Sequence, residues 1–474
     1  MALSRERLVP LIVAVALFME NMDANVIATS LPAIAQDLGT SPLTLKLAVT
    51  SYLLSLAVFI PASGWTADRF GARNVFRIAI GVFMTGSLIC ATATSVAHLI
   101  AGRIVEGMGA AMMAPVARLL ILRTVDKHSL VDAMSLLTVP GLMGPLLGPP
   151  VGGFITTYFT WHWIFLINLP IGIVGILLVT RFVEDVRVDN VSPIDLPGLI
   201  LCAIAVAGLA FGLSVAGFDI LPWSVVTALM TGGAVAALAY FMHARHVAAP
   251  ALDFSLMALV TFRASVLGGS VFRIGIGAMP FLLPLLFQLG FGFTPLQSGL
   301  VTFTSAMGAL IVKAFAKRIV VRFGFRRVLI GNALIASAFI AACALIRPSL
   351  PFALIIAILL VGGFFRSLEF TCINALSFAD VEPARMSRAT TMSAVWQQLS
   401  LSTGVALGAF IVEYTLRWKR NATISPDDFL FAFLIIGAVS AISAALFMRL
   451  PQDAGAQLSA AIPMERKERS SRNP

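Results

Sequence analysis

Apolar stretches follow one another along the chain, separated by short polar segments. A helix of roughly 20 apolar residues crosses the hydrocarbon core of a bilayer. Because lipid cannot hydrogen-bond an exposed backbone, and because no stretch alternates like a barrel strand, each is predicted to be a transmembrane helix. Fourteen spans are predicted, at about residues 8–28, 46–66, 76–95, 99–122, 133–156, 164–182, 195–215, 222–242, 264–288, 296–316, 327–346, 352–377, 390–415 and 428–448.

The composition agrees with an all-α integral membrane protein. Hydrophobic residues make up 59% of the chain and charged residues 12%, whereas soluble domains carry about 25% charged residues. The four cysteines lie in separate predicted spans, which argues against disulfides and metal sites. No Gly-x-x-x-x-Gly-Lys-Ser/Thr loop is present, so no nucleotide or other cofactor is expected, and an ion gradient would supply the energy.

The net charge of +10 is distributed along the chain in a membrane-specific way. Most Lys and Arg residues fall in segments that are cytoplasmic if both termini are cytoplasmic, as the positive-inside rule requires. This distribution favours a multi-pass protein of the bacterial inner membrane over a nucleic-acid-binding protein. The cluster Arg417, Lys419 and Arg420 breaks the pattern. The basic tail, 451–474, is predicted to be disordered and within reach of anionic membrane lipid.

A short basic sequence occurs twice, about half a chain apart. Arg69-Phe70-Gly71-Ala72-Arg73 follows the second predicted span, and Arg322-Phe323-Gly324-Phe325-Arg326 follows the tenth. The repeat predicts two six-helix bundles, 1–190 and 246–450, related by a parallel pseudo-twofold axis, with the substrate site between them near the midplane. The remaining hairpin, 191–245, is an insertion that we expect to lie outside the central pathway.

The first copy of the repeat is part of a charged ten-residue segment that is predicted to be a loop. Its glycines, Gly64 and Gly71, permit tight backbone geometry near helix ends. Asp68 can pair with Arg69, with Arg73 or with a basic group of another helix, and such a latch would favour one conformation of an alternating-access protein. The alternative is a charged loop that only sets membrane topology.

The fifth predicted span is rich in glycine and proline. Glycines four residues apart line one face and let another helix approach closely, while prolines invite a bend. Tight packing alone would explain the glycines, but the combination with proline favours a moving contact between the two bundles. The residues concerned are Gly141, Gly144, Pro145, Gly148, Gly152 and Gly153.

Ionisable residues inside spans are costly and are therefore functional candidates. In the first span, Glu20 and Asp23 share one face, and Asp23 lies deep enough to be a proton carrier or the structural partner of an arginine. In the fourth span, Arg103 and Glu106 are one turn apart. They could form a local pair, or Arg103 could modulate a protonating carboxylate such as Asp23.

Further charged residues are candidates for the substrate cavity. Arg118 either lines the cavity or extends to lipid headgroups. Arg366 and Glu369 repeat the three-residue spacing and could be a self-satisfied pair. Arg273 has no acid nearby in sequence, so it requires a partner on another helix or an anionic substrate.

These segments resemble the motifs of a known family. Residues 64–73 resemble motif A of the major facilitator superfamily, residues 103–111 its motif B, and residues 141–153 its motif C, typical of antiporters. Residues 22–32 are similar to the helix 1 motif of drug:proton antiporters. Residues 161–172 resemble the start of helix 6 in the fourteen-helix, EmrB/QacA-type branch.

The resemblance implies the fold of that family and proton-coupled export of drug-like compounds by alternating access. It also implies that Asp23 and Arg103 couple protons, that Asp68 with its neighbouring arginines gates, and that the fifth helix bends. The chain departs from the family pattern at Asn25, Ala28 and Glu106, and Glu106 adds an acid beside Arg103 that could move or share the protonation site.

The sequence therefore predicts a proton-coupled antiporter, a monomer and not an enzyme, which exports small organic compounds. A cation-selective pump should bury an excess of acids, yet Arg118, Arg273 and Arg366 lie in predicted spans. An exporter of an anionic metabolite, such as an organic acid or its metal chelate, is the alternative. A sensor without transport activity would need a sizeable soluble domain, and a membrane enzyme would need a histidine cluster or metal spacing that the spans lack.

Overall fold

A computed structural model describes residues 5–124, 130–184, 194–215, 221–247, 250–382, 385–419 and 424–455. Most of the predicted tail, 456–474, lies outside the described residues. The long helices are α1 Arg5–Asp37, α2 Lys46–Phe70, α3 Ala72–Ala91, α4 Val96–Thr124, α5 Leu130–Tyr158, α6 Trp163–Phe182, α7 Leu196–Val215, α8 Trp223–Ala244, α9 Val260–Gly290, α10 Pro295–Phe323, α11 Phe325–Ala342, α12 Phe352–Leu376, α13 Met386–Lys419 and α14 Leu430–Phe447.

Each long helix coincides with one predicted span. Over the described residues, 13 helices are long and apolar enough to cross a membrane, and α5 occupies the position of the predicted fifth span. The first span was predicted to end near residue 28, but α1 continues to Asp37. The polar residues that follow remain compatible with a helix because Thr29 Oγ1 donates to the carbonyl of Val26 at 3.1 Å and Ser30 Oγ lies 2.6 Å from Thr156 Oγ1 on α5.

The same helix pairings occur in both halves of the chain. In the first half, α1 packs against α5 and α6, and α4 packs against α2 and α3. In the second half, α9 packs against α13 and α14, and α12 packs against α10 and α11. The two halves meet along α2 with α13 and along α5 with α10, and the hairpin α7–α8 packs on α2 and α13. This arrangement confirms two related six-helix bundles with an inserted hairpin.

The repeated basic sequence forms equivalent turns. A single residue separates α2 from α3 and α10 from α11, and in both places it is a glycine with positive φ, Gly71 (87°) and Gly324 (78°). A residue with a Cβ is strained at such angles. The prediction of a ten-residue loop was wrong, because α2 remains helical to Phe70. Gly64 lies inside that helix with no atom within 4 Å of an added Cβ, so it serves no close contact.

The last arginine of each repeat makes the same interaction. Arg73 Nη1 donates to the carbonyl of Val183 at the end of α6, at 3.2 Å. Arg326 Nη2 donates to the carbonyl of Met448 at the end of α14, at 3.0 Å. Each arginine thus satisfies a carbonyl at the end of the sixth helix of its half, where intrahelical donors run out. The end of the molecule that carries Gly71 and Gly324 is called the turn side below, and the opposite end the far side.

The two halves contact each other closely at the far side. Gln288 Nε2 on α9 donates to the carbonyl of Thr29 on α1 at 2.9 Å. The backbone N–H of Leu296 on α10 donates to Thr157 Oγ1 on α5 at 3.1 Å. These hydrogen bonds, which join residues distant in sequence, close the far side of the space between the halves.

Candidate functional site

A fully buried charged network links α1 and α4. Arg103 Nη1 donates to Asp23 Oδ2 and to Glu106 Oε2, both at 2.6 Å. All three side chains are at most 1% exposed. Arg103 also donates from Nε to the carbonyl of Ala48 on α2 at 3.4 Å, and its Cζ lies 4.2 Å from the ring centroid of Tyr52. Arg103 therefore pairs with Glu106 on its own helix and also with Asp23 across helices. Its modulation of a protonating carboxylate remains a prediction.

Neutral side chains complete the network. Asn168 Nδ2 on α6 donates to Asp23 Oδ1 at 2.8 Å and to Ser87 Oγ on α3 at 3.1 Å. Ser87 Oγ donates to Glu106 Oε1 at 2.6 Å, and Cys90 Sγ lies 3.5 Å from Glu106 Oε2. Asn168 lies in the segment 161–172, which resembles a family motif but predicts no role for this residue, and no sequence pattern indicates Ser87. Their spacing in sequence carries no signal, because α1, α3, α4 and α6 meet only in the folded bundle.

The charge balance of this network determines what it can do. One guanidinium faces two carboxylates, so the fully ionised trio carries one net negative charge in a buried site. Buried charges are costly unless they are paired. Binding one proton would neutralise the trio, and moving that proton away would restore the charge. The arrangement can therefore hold and release a proton between two acids that share one cation.

The fourth predicted coupling residue does not join the network. Glu20 Oε2 is buried and has no hydrogen-bond partner among the described residues. Glu20 lies close enough to Arg118 on α4 for their charges to interact, and Arg118 is exposed. The first-half charges thus form two groups, the buried network and a more accessible Glu20–Arg118 group nearer the turn side. The assignment of Glu20 to proton coupling remains a prediction.

A pocket of about 340 Å³ lies between the two halves. Its walls come from α1, α5, α9, α10 and α12. Asn25 and Ala28, both departures from the family pattern, line it on α1, and Pro145 and Pro149 line it on α5. Among the described residues that line it, Arg366 is the only one with a formal charge, and its Nη2 donates to Ser305 Oγ on α10. The pocket therefore presents one cation to any bound molecule.

The suggested pairing of Arg366 with Glu369 was wrong. Glu369 is fully buried and accepts a 2.7 Å hydrogen bond from Asn332 Nδ2 on α11. The two charged groups diverge because α12 packs between α10 and α11, and residues three apart can face different neighbours. Glu369 is consequently not among the described residues that line the pocket, whereas Arg366 is, and the role of both toward substrate remains a prediction.

Arg273 has a hydrogen-bond partner on another helix, one of the two alternatives that the sequence left open. Its Nη2 donates to Asn374 Oδ1 on α12 at 2.7 Å, and its Cζ lies 5.6 Å from the ring centroid of Phe370, which lines the pocket. The side chain is 1% exposed, and no carboxylate among the described residues forms an ion pair with it. Arg273 thus lies against the pocket wall, and its role toward substrate remains a prediction.

The glycine face of α5 packs within the first half. A Cβ on Gly144 would lie 2.6 Å from Asn21 Cβ, one on Gly148 2.7 Å from Asn25 Cβ, and one on Gly152 2.5 Å from the carbonyl oxygen of Val26. Close helix approach is confirmed, but the partner is α1 of the same half, so the predicted contact between halves was wrong for these residues. The surroundings of Gly141 lie outside the described residues.

Of the α5 glycines whose surroundings are described, only Gly153 faces the other half. A Cβ on Gly153 would overlap the carbonyl oxygen of Pro295 on α10, and one on Gly299 of α10 would overlap the carbonyl oxygen of Pro149. The backbones of α5 and α10 are therefore almost in contact where the two helices cross.

Over the described residues, no group of three or more His, Cys, Asp and Glu side chains could hold a metal ion.

Comparison with known proteins gives consistent results. Residues 13–280 and 266–472 match the family described as Major Facilitator Superfamily. The chain is 36% identical over 449 residues to the "Putative multidrug resistance protein MdtD" of Salmonella paratyphi B, an alignment that covers 93% of this chain and 94% of that protein. The same protein of Salmonella typhimurium shows the same identity and coverage.

Solved structures share the fold at low sequence identity. The xylose transporter XylE from E. coli is 15% identical and superimposes with a TM-score of 0.61, covering 95% of this chain and 99% of that one. The human organic anion transporter MFSD10 is 15% identical with a TM-score of 0.60, covering 93% of this chain and 99% of that one. At this level of identity the likeness concerns the fold.

Proposed function

Because the chain belongs to the major facilitator superfamily, we propose that it is a proton-coupled antiporter that exports small organic, drug-like compounds by alternating access. It is a multi-pass membrane transporter and not an enzyme. Residues 1–190 and 246–450 would move against each other as two halves, with the hairpin within 191–245 outside the pathway and the monomer as the working unit. The multidrug resistance name of its relatives supports a drug-like substrate.

One observation supports the proton coupling, namely that Arg103 pairs with Asp23 and Glu106 at 2.6 Å in a site where all three side chains are at most 1% exposed. A proton that arrives from the outside would neutralise one carboxylate and weaken its hold on Arg103. Asp23 lies on α1, two residues from Asn25, which lines the pocket. A weaker ion pair between Asp23 and Arg103 would therefore let α1 move and change the shape of the pocket. Substrate release outward and proton release inward would follow in turn.

The closed far side supports a conformation that opens toward the turn side. In this proposal the turn side is cytoplasmic and the protein resides in the bacterial inner membrane, with Asp68, Arg69 and Arg73 as the cytoplasmic gate.

The basic cluster Arg417, Lys419 and Arg420, which is the exception to the positive-inside distribution, does not oppose this orientation. Arg417 pairs with Glu413 at 3.0 Å and Lys419 pairs with Asp428 at 3.1 Å, so acids offset both charges. Arg420 lies outside the described residues.

The deciding experiment uses inside-out vesicles that contain the purified protein and an imposed proton gradient. Addition of the lipophilic cation ethidium should dissipate the gradient, and Asp23→Asn should abolish the effect. Asp37→Asn is the matched control, because Asp37 lies on the same helix, bonded to Trp161 Nε1 at 2.9 Å and outside the network. Gradient loss that survives in Asp23→Asn would refute Asp23 as the proton carrier.

Arg366 favours a second candidate function. A pocket in which the one charged residue among the described lining residues is a cation suits an anionic metabolite, such as an organic acid or its metal chelate. The same vesicles supplied with citrate in place of ethidium test this alternative. Gradient loss with citrate alone, reduced about tenfold in Arg366→Gln as expected for a lost charge-assisted hydrogen bond, would replace drug export by anion export. Arg318→Gln on the turn-side end of α10 controls for the loss of positive charge.

A further inference from the structure

A second cavity, of about 530 Å³, lies on the turn side between the end of α8 and the start of α13. It is remote from the pocket between the halves and shares no lining residue with it. Its wall includes three arginines, one acid and two aromatic rings: Arg245, Arg385, Arg388, Asp253, Phe241 and Phe254. The lining therefore has a positive excess in a chain with few charges.

Asp253 accepts only some of the hydrogen bonds that the guanidinium groups of Arg385 and Arg388 can donate. Arg385 Nη2 lies 3.2 Å and Arg388 Nη1 3.5 Å from the same oxygen, Asp253 Oδ2. Arg385 also donates to Ser255 Oγ. A guanidinium has five N–H donors, and the side chains of Arg385 and Arg388 are 31% and 42% exposed. Both can therefore donate to a further acceptor in the cavity.

The cavity combines this charge with an apolar wall. The rings of Phe241 and Phe254 meet edge to face with centroids 5.8 Å apart, and Arg245 Cζ lies 4.2 Å from the Phe241 centroid. The helices that frame the cavity end here, α8 at Ala244 and α13 at Met386. Their ends place the cavity at the depth of lipid headgroups rather than in the hydrocarbon core.

We propose that this cavity binds the phosphate headgroup of an anionic membrane phospholipid. Guanidinium groups match phosphate oxygens in geometry and charge, and the aromatic wall suits the glycerol and proximal acyl carbons of a lipid. Free phosphate shares the headgroup chemistry but has nothing to place against Phe241. A bound lipid would also join the inserted hairpin to α13 of the second half, because Arg245 follows α8 and Arg388 lies on α13.

Native mass spectrometry of the full-length protein in detergent tests the site, with phosphatidylglycerol and phosphatidylcholine offered together. The protein should retain phosphatidylglycerol in preference. Arg245→Gln should lower that retention about fivefold, as expected for one arginine at an anionic lipid. Arg245 is chosen because its substitution leaves both ion pairs of Asp253 intact, so the loop should remain folded. Arg385→Gln combined with Arg388→Gln should lower retention further.

Arg263→Gln is the matched control, since Arg263 is exposed on the same side at the start of α9 and does not line the cavity. It should retain the lipid like the unaltered protein. Equal retention in Arg245→Gln and the unaltered protein would overturn the proposal. Displacement of phosphatidylglycerol by excess inorganic phosphate would also overturn it, in favour of a free-phosphate site.

Discussion

Arg103 on α4 donates a 2.6 Å hydrogen bond to Asp23 on α1, a residue 80 positions earlier in the chain. The same nitrogen donates at 2.6 Å to Glu106, so two acids depend on one cation. Loss of either carboxylate frees the guanidinium for the other, whereas loss of Arg103 would leave both uncompensated. Substitution of Arg103 should therefore disturb the network more than substitution of either acid.

We expect Glu106→Gln to simplify proton release. Asp23 and Glu106 share one cation, so either acid could hold the transported proton, and removal of Glu106 leaves Asp23 as the one acid paired with Arg103. The measurement is the number of protons released when substrate is added to the purified protein, recorded across pH. Glu369→Gln serves as the control, because Glu369 is equally buried but bonded to Asn332 in the other half. Proton release that is the same in Glu106→Gln and in the unaltered protein at every pH would contradict a shared site.

Asn168→Ala should alter coupling as well as stability. It removes the bonds from Asn168 to Asp23 and Ser87, and each buried partner left unsatisfied costs about 1–3 kcal/mol. The pH midpoint of gradient-driven transport should move by about one unit, the equivalent of such a cost. Asn332→Ala removes a comparable bond to Glu369 and should lower the melting temperature without moving the midpoint. If transport by the two variants has the same pH dependence, Asn168 has only a structural role.

Gly153→Ala should open the far side. The added methyl group would overlap the carbonyl oxygen of Pro295, and because that oxygen belongs to backbone, α5 and α10 must separate. Spin labels at Gln36 on α1 and at Leu300, 51% exposed on α10, report the separation as a distance distribution. Gly64→Ala, where nothing lies within 4 Å, should leave the distribution unchanged. An unshifted distribution in Gly153→Ala would show that this contact does not hold the far side closed.

Asp253 should make stability depend on pH. Burial raises the pKa of this carboxyl, but hydrogen bonds from Ser255 and Arg385 outweigh burial and hold the pKa below its ordinary value of 3.8. A group whose pKa is lowered by folding stabilises the protein above its unfolded pKa, and that contribution is lost as pH falls through the folded value. Asp253→Asn should therefore cost on the order of 1 kcal/mol at neutral pH, since the paired arginines are partly exposed.

Melting temperatures of the two proteins check this prediction. The difference between Asp253→Asn and the unaltered protein should be largest at neutral pH and should shrink below pH 3.8. Asp37→Asn, which alters an acid bonded to a neutral indole, provides the comparison. A difference that stays constant across this range would mean that the Asp253 charge contributes nothing.

The sequence alone determined the helices, their number and their relation to a known family. Span lengths follow from bilayer thickness, so each predicted span coincides with a helix, and the positive-φ glycines of the repeat mark equivalent turns. Asp23, Arg103 and Glu106 could be selected because charges in lipid are costly wherever they occur. These features follow from the sequence without information about which helices are in contact.

Which helix each side chain faces depends on how the helices pack, and the sequence does not reveal this. Arg366 and Glu369 are three residues apart yet point to Ser305 on α10 and to Asn332 on α11. Gly144, Gly148 and Gly152 of α5 approach α1 within one half, whereas Gly153 reaches α10 of the other half. Asn168 and Ser87 join the charged network because α3 and α6 cross beside Asp23. Spacing along a helix specifies a direction around its axis, whereas the neighbour in that direction depends on how all fourteen helices pack.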